Sequence, residues 1–300
     1  MFRQSSKVQS VNSTGFTHAN LSVSKIQKRG LLMKGFGRWG VVIFFSTICL
    51  AICPSPKGFA QDLPPRAYIA LGESTDFGTG ATAGMDWVTL FHTSLFGSSV
   101  LRNYSVFGAT MGDIRRDQLA DALSDIASFN PVVVSLGGGG NDLLNFINSP
   151  QAATCRVANI QCFARLNALL NNVEVLLDQM VRRLRAAGPN DVILLRTEFN
   201  PLLREDCEER LERPGISLLA SLALEGSDIV PFPVPFLTRG LNDRIRDVAA
   251  RYNAIVIEIF DLFLPPNTND LIIEDCIHTN DAGHKIIFDA AVEAFEAFLQ

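Results

Sequence analysis

The sequence predicts an α/β fold in which a parallel sheet carries helices on both faces. Two observations lead there. From residue 67 to the end, apolar runs of strand length alternate with longer amphipathic stretches, the order that builds a parallel sheet through helical crossovers. The central run Val132–Leu136 (VVVSL) shows almost no polar alternation, as a strand covered on both faces should.

The elements follow in chain order. Ala67–Leu71 reads as strand one, residues 86–96 as a helix and 100–106 as a second, weaker strand. Across 111–129 the apolar residues Ile114, Leu119, Leu123 and Ile126 recur at helical spacing. Strand three is Val132–Leu136, and a long helix over 163–187 is closed by Gly188-Pro189, the usual stop order. Val192–Arg196 is strand four, 237–252 a helix, 254–259 strand five and 282–299 the terminal helix. Segment 201–236 is expected to be an irregular excursion over the sheet edge. It is charged over 204–213 and then rich in proline at Pro231, Pro233 and Pro235. Together these predict a flavodoxin-like three-layer α/β/α sandwich with about five parallel strands. Ligands bind such sheets beyond the carboxyl ends of the strands, so functional residues are expected directly after strands one, two, three and five.

Residues 1–60 read as a leader. They hold eight of the chain's 26 Lys and Arg and none of its 31 Asp and Glu. An apolar run over 41–53 (VVIFFSTICLAIC) precedes the small-residue site Gly58-Phe59-Ala60. These are the parts of a secretory signal peptide, with cleavage near Ala60. The run is shorter than the roughly 20 apolar residues that cross a bilayer; a membrane anchor through residues 40–53 is the alternative. Met33 opens a compact basic start, Met-Lys-Gly-Phe-Gly-Arg, and is a candidate initiator. Residues 61–300 would then be one secreted domain, extracellular or periplasmic, with no stable membrane span. Its net charge of about −13 disfavours nucleic acid or anionic membrane as the main partner. A monomer is the expected state.

Four cysteines follow Ala60: Cys155, Cys162, Cys207 and Cys276. An even count in an exported chain favours disulfides. Cys155–Cys162, closing a short loop, and Cys207–Cys276, tethering two distant ones, are the preferred pairs among three pairings. No Cys-x-x-Cys pair or histidine cluster suggests zinc.

Four segments carry chemistry. After strand one, Ser74 lies in Gly72-Glu73-Ser74-Thr75-Asp76-Phe77-Gly78-Thr79-Gly80, where a serine at a strand-to-helix turn suits a nucleophile. Alone, that pattern is more often turn chemistry. A dinucleotide loop fails on spacing, since the next glycine is Gly84. After strand two, Gly108 leads into a helix and can aim its N–H at an anion. After strand three, Gly137 to Gly140 precede Asn141 and Asp142, without the Lys-Ser/Thr of a phosphate loop. Asn141 offers a neutral donor suited to an oxyanion. After strand five comes Asp275-Cys276-Ile277-His278, an acid beside an imidazole that could serve as general base. His92 and His284 read as structural.

Taken in order, these segments resemble the blocks of the SGNH (GDSL-type) hydrolase family: Gly-Asp-Ser, Gly, Gly-x-Asn-Asp and Asp-x-x-His. The resemblance covers roughly residues 67–300. It implies a serine esterase with Ser74 as nucleophile, His278 as base and then acid, and Asp275 orienting His278. The N–H groups of Ser74 and Gly108 and the side-chain amide of Asn141 would form the oxyanion hole, with Glu73 and Asp142 in support. Glu73 departs from the family, which has Asp there. No metal or organic cofactor is implied. The expected substrate is a small-molecule or lipid ester, with a lipolytic or short-to-medium-chain carboxylesterase first. A carbohydrate O-acetylesterase, or a catalytically silent binding module on the same fold, are the alternatives. The pocket is expected from residues after Asn141 and from Leu202, Leu203, Phe232, Phe236 and Leu237.

Overall fold

The computed structural model describes residues 64–300 except 151, 153, 154, 156–158 and 231–233. The leader, the start at Met33, the cleavage point and the anchor alternative all lie outside the described residues. Among those described, no helix is long and apolar enough to cross a membrane.

Five strands, β1 Ala67–Leu71, β2 Val100–Asn103, β3 Val132–Leu136, β4 Val192–Arg196 and β5 Ile255–Ile257, form one parallel sheet in the order β2-β1-β3-β4-β5. Ala67 is in register with Val100 on one side and Val132 on the other. The order reverses between β1 and β3, which is the switch point where such sheets open a crevice.

The helices are α1 Ser74–Phe77, α2 Trp87–Leu95, α3 Met111–Asp113, α4 Leu119–Phe129, α5 Gly140–Asn148, α6 Ile160–Ala187, α7 Cys207–Arg210, α8 Ile216–Glu225, α9 Leu241–Tyr252, α10 Thr268–Leu271 and α11 Asp281–Leu299. Alternation along the strands divides them into two layers, because successive strand side chains point to opposite faces. Ile69, Leu71, Val134 and Leu195 pack with Ile126, Leu170, Leu177 and Val248 from α4, α6 and α9. Tyr68, Ala70, Val133 and Leu194 pack with Trp87, Phe91, Ile287 and Phe295 from α2 and α11. Each large apolar side chain buried this way contributes about 1.5–3 kcal/mol. The result is the three-layer sandwich the sequence predicts.

Three local expectations are corrected. The helix over 111–129 is interrupted by a π-turn at Ile114–Gln118. Ile114 and Leu119 are five residues apart, so a regular α-turn would put them on different faces, and the π-turn absorbs the extra residue. Segment 201–236 is largely helical rather than irregular, since it holds α7 and α8. Strand two stops at Asn103, beyond which only single bonds, Tyr104 N–H to Ala70 O and Val106 N–H to Gly72 O, follow β1 outward. Both expected disulfides are present, Cys155–Cys162 and Cys207–Cys276.

Candidate active site

β1 ends at Leu71, and after a two-residue turn, Gly72-Glu73, Ser74 opens α1. The turn between them is clamped by Gln118. The Gly72 N–H donates to Gln118 Oε1 (2.9 Å), and Gln118 Nε2 donates to Gly72 O (2.8 Å). The π-turn is what points this buried glutamine inward. No motif singles Gln118 out; the five-residue spacing of Ile114 and Leu119 was the signal available for it. As the first residue of a helix, Ser74 has no intrahelical partner for its N–H.

After β2, a turn closed by Ala109 N–H to Val106 O (3.1 Å) sets Gly108 at φ 75°. A side chain is disfavoured in that left-handed conformation. After β3 the chain enters α5 at Gly140, followed by Asn141 and Asp142. Asp142 Oδ2 accepts the Met111 N–H (2.8 Å), tying α5 to the helix that follows Gly108. Burial raises the pKa of Asp142, and this hydrogen bond offsets part of the rise. Asn141 Nδ2 donates to Glu73 Oε2 (3.0 Å) and to Ala109 O (3.1 Å), and its backbone N–H donates to the same Glu73 oxygen (3.1 Å).

The remaining pair lies well beyond β5, past α10, rather than directly after the strand. Asp275 Oδ2 is 2.5 Å from His278 Nδ1, while Oδ1 accepts the N–H groups of Ile277 and His278 (2.9 Å each). Burial disfavours the Asp275 charge, but the donors from His278 and Ile277 outweigh it and hold its pKa below the ordinary value. The turn is pinned by Ile273 N–H to His278 O (2.9 Å), by the Ile272–Thr279 bridge, and by the Cys207–Cys276 disulfide. Cys276 sits at φ 63°, a conformation costly for a side chain that these ties sustain.

The segments converge. Gly80, just after α1, abuts the histidine turn so closely that a Cβ there would lie 2.1 Å from Thr279 O. The Phe107 ring lies against that of His278, with centroids 5.4 Å apart. Ser74, Asn141 and Ile277 line one cleft. Among the described residues, neither Ser74 Oγ nor His278 Nε2 makes a hydrogen bond, which leaves both free for a partner. Catalytic hydrogen bonds are often long before substrate binds.

The cleft walls are apolar: Leu143 and Ile147 from α5, Ala220 and Leu224 from α8, with Phe199 and Leu202 between. Residues after Asn141 line it as expected, through Leu143, Leu144 and Ile147, and of the described residues named in 201–236 only Leu202 does. Leu203 is not among the lining residues, Phe236 is exposed and Leu237 is buried in the core. Phe232 is outside the described residues.

Beneath Ser74 lies a charge cluster that sequence reading missed. Glu73, Asp76, Arg196 and Glu198 are each at most 4% exposed. Arg196 binds Asp76 through Nε (3.2 Å) and Nη2 (3.1 Å), and Glu198 through Nη1 (3.1 Å). The glycine run makes room for it: a Cβ on Gly137 would lie 2.6 Å from Arg196 Nη2, and one on Gly140 2.5 Å from Glu73 Oε1.

Among the described residues, the other two histidines, His92 and His284, are structural. His284 is fully buried, accepting the Trp87 N–H at Nδ1 (3.4 Å) and so donating from Nε2 to Thr79 O (3.1 Å). His92 Nε2 meets Ser99 O at 3.1 Å. The metal-like group Asp206, Cys207 and Cys276 has both its sulfurs in the disulfide.

Residues 70–286 match the family model of the GDSL-like lipase/acylhydrolase family. No curated protein matches the sequence. Among solved structures the chain is similar to the lipase Lip_vut3 from a goat rumen metagenome (TM-score 0.56, 16% identity, 76% of this chain and 96% of that one). It is also similar to phospholipase A1 from Streptomyces albidoflavus NA297 (0.51, 17%, 77% and 99%) and an extracellular lipase from Streptomyces rimosus (0.50, 18%, 76% and 99%). At these identities the structures speak for the fold. The match over most of the chain, together with the order of its four site segments, places the protein in the GDSL-like lipase/acylhydrolase family, whose chemistry is hydrolysis of esters.

Proposed function

We propose that the protein is a serine esterase acting on carboxylic esters through Ser74, His278 and Asp275. The observation behind this reading is the Asp275–His278 pair held in one turn against the cleft that Ser74 lines. With Asp275 accepting from Nδ1, His278 presents Nε2 unprotonated, the tautomer a general base needs. His278 takes the Ser74 proton as the serine oxygen attacks the ester carbonyl. The oxyanion is met by the N–H groups of Ser74 and Gly108 and by Asn141. The alcohol departs with the proton from His278, and water, deprotonated by the same imidazole, resolves the acyl-enzyme. Apolar walls from α5 and α8 favour an acyl chain over a sugar, so a lipolytic or short-to-medium-chain substrate fits best.

The two disulfides suit an oxidising compartment, and we read residues 1–60 as a secretory leader that leaves 61–300 as the mature domain. Hydrolysis of p-nitrophenyl esters of increasing chain length by residues 61–300 and by its Ser74→Ala variant tests the reading. Turnover lost in the variant and rising with chain length supports it. Turnover confined to sugar acetates would favour the carbohydrate esterase, and none at all the silent binding module.

A further inference from the structure

The cluster beneath Ser74 pairs three buried carboxyls with one guanidinium. Arg196 reaches Asp76 and Glu198 but makes no hydrogen bond to Glu73. Glu73 and Glu198 crowd one point, since a Cβ on Gly140 would lie 2.5 Å from Glu73 Oε1 and 3.4 Å from Glu198 Oε2. Glu198 Oε1 is buried without a hydrogen bond, although it lies 3.1 Å from Arg196 Nη2. The charged groups facing Glu73 are Asp76 on the helix it caps and Arg196 and Glu198 beyond β4; α5 offers it two neutral donors, the backbone N–H and the side-chain amide of Asn141, which pull its pKa back only in part. The Glu198 carboxyl meets the same Arg196 and Asp76, with the Gly138 backbone N–H favouring its charged form, while Asn242 on α9 reaches Glu198 only at its backbone. Were all three carboxyls ionised, the buried site would hold two uncompensated negative charges, which desolvation strongly opposes. Burial accordingly pushes Glu73 well up, and Glu198 pushes it further. Burial also raises Glu198, with Arg196 pulling back only in part.

Glu73 is tied to the oxyanion hole through Asn141. An amide nitrogen has two hydrogens, and those of Asn141 Nδ2 go to Glu73 Oε2 and Ala109 O. To serve an oxyanion, Asn141 must draw one hydrogen away from Glu73. A neutral carboxyl is a weak acceptor and yields it, whereas a carboxylate holds it about twice as strongly. A carboxylate there would also repel the developing oxyanion across a single amide.

We propose that Glu73 and Glu198 share one proton, and that this proton decides whether Asn141 can serve the oxyanion. Glu73 is thus a positioning residue, permissive when neutral and inhibitory when ionised. The inference rests on the esterase reading, though its test does not depend on it alone.

The experiment is kcat and KM against pH for a p-nitrophenyl ester, corrected for uncatalysed hydrolysis, in wild type, Glu198→Gln and Glu73→Gln. Wild-type kcat should fall on the alkaline side by about 100-fold, the loss of one oxyanion donor, with KM little changed. Glu198→Gln removes the neighbouring charge, so the fall moves to lower pH. Glu73→Gln cannot ionise, so its profile has no alkaline fall whatever its absolute rate. A wild-type profile flat through the alkaline range, a fall unmoved in Glu198→Gln, or one retained in Glu73→Gln overturns the proposal. Infrared difference spectra give an activity-free reading: wild type at neutral pH should show a protonated-carboxyl band that the Glu73→Gln/Glu198→Gln double variant lacks. If no ester is turned over, the esterase reading falls and the band still decides the shared proton; its absence from wild type overturns the sharing.

Discussion

The two halves of the site are held in place by opposite means. Ser74, Gly108 and Asn141 follow the adjacent strands β1, β2 and β3 and rest on a buried ion cluster, locked by Gln118 and Asp142. Asp275 and His278 stand in a turn away from the sheet, held by a disulfide, one bridge and short-range hydrogen bonds. The first half is fixed by burial, so changes there should act on folding and be sensitive to pH. The second is fixed by local ties, so changes there should act on turnover first.

The largest effect expected from this contrast is on the second half. Asp275→Asn should lower kcat by about 10⁴-fold through the wrong imidazole tautomer, while thermal melting stays close to wild type. A variant that melts early but turns over normally would break the comparison. On the first half, Arg196→Met leaves Asp76 without its cation, and denaturant unfolding should show a loss of about 3–5 kcal/mol. Removing the disulfide by Cys207→Ser/Cys276→Ser opens a 69-residue separation and should remove about 2–4 kcal/mol. It should also lower kcat by freeing the His278 turn, and assays on the folded protein separate the two effects.

The smallest effect is in pH dependence, and its sign differs between two buried groups, His284 on α11 and Glu73 under the first half. Burial lowers the pKa of His284 below 6.5. The unfolded chain therefore binds this proton first, so its contribution is complete above 6.5 and is lost as pH falls. Melting temperatures from pH 8 to 5 should fall less in His284→Gln than in wild type. Glu73 shifts the other way. Its raised pKa withdraws stability as pH rises above the ordinary carboxyl value of 4.5, so Glu73→Gln should match wild type near that pH and gain on it towards neutrality. Parallel slopes for wild type and the two variants would remove the distinction.

The sheet and the four site segments were legible because each leaves a local mark. β1, β3 and β4 are short apolar runs, and Ser74, Gly108, Asn141 and His278 sit just after turns or glycines. The two disulfide pairs were legible from cysteine count and compartment. Arg196 and Glu198 were not, because a charged residue at a strand end looks like surface. Only the fold brings Arg196 to Asp76, 120 residues away in sequence. Helix α8 was hidden for a related reason. Its run ISLLASLALE is apolar on most sides, since it packs on the core and walls the cleft, so it has no period to read. It also follows a charged stretch that resembles a loop. The actual partner of Glu73, the amide of Asn141, depended on one methylene of reach that sequence pattern does not measure.

The central claim is that Ser74 is the nucleophile and His278 its base. Labelling residues 61–300 with a fluorophosphonate and mapping the modified peptide by mass spectrometry tests it most directly. The account predicts one adduct, on Ser74, formed quickly in wild type and about 10⁴-fold or more slower in His278→Ala. An adduct on another serine, or unchanged labelling in His278→Ala, would contradict it.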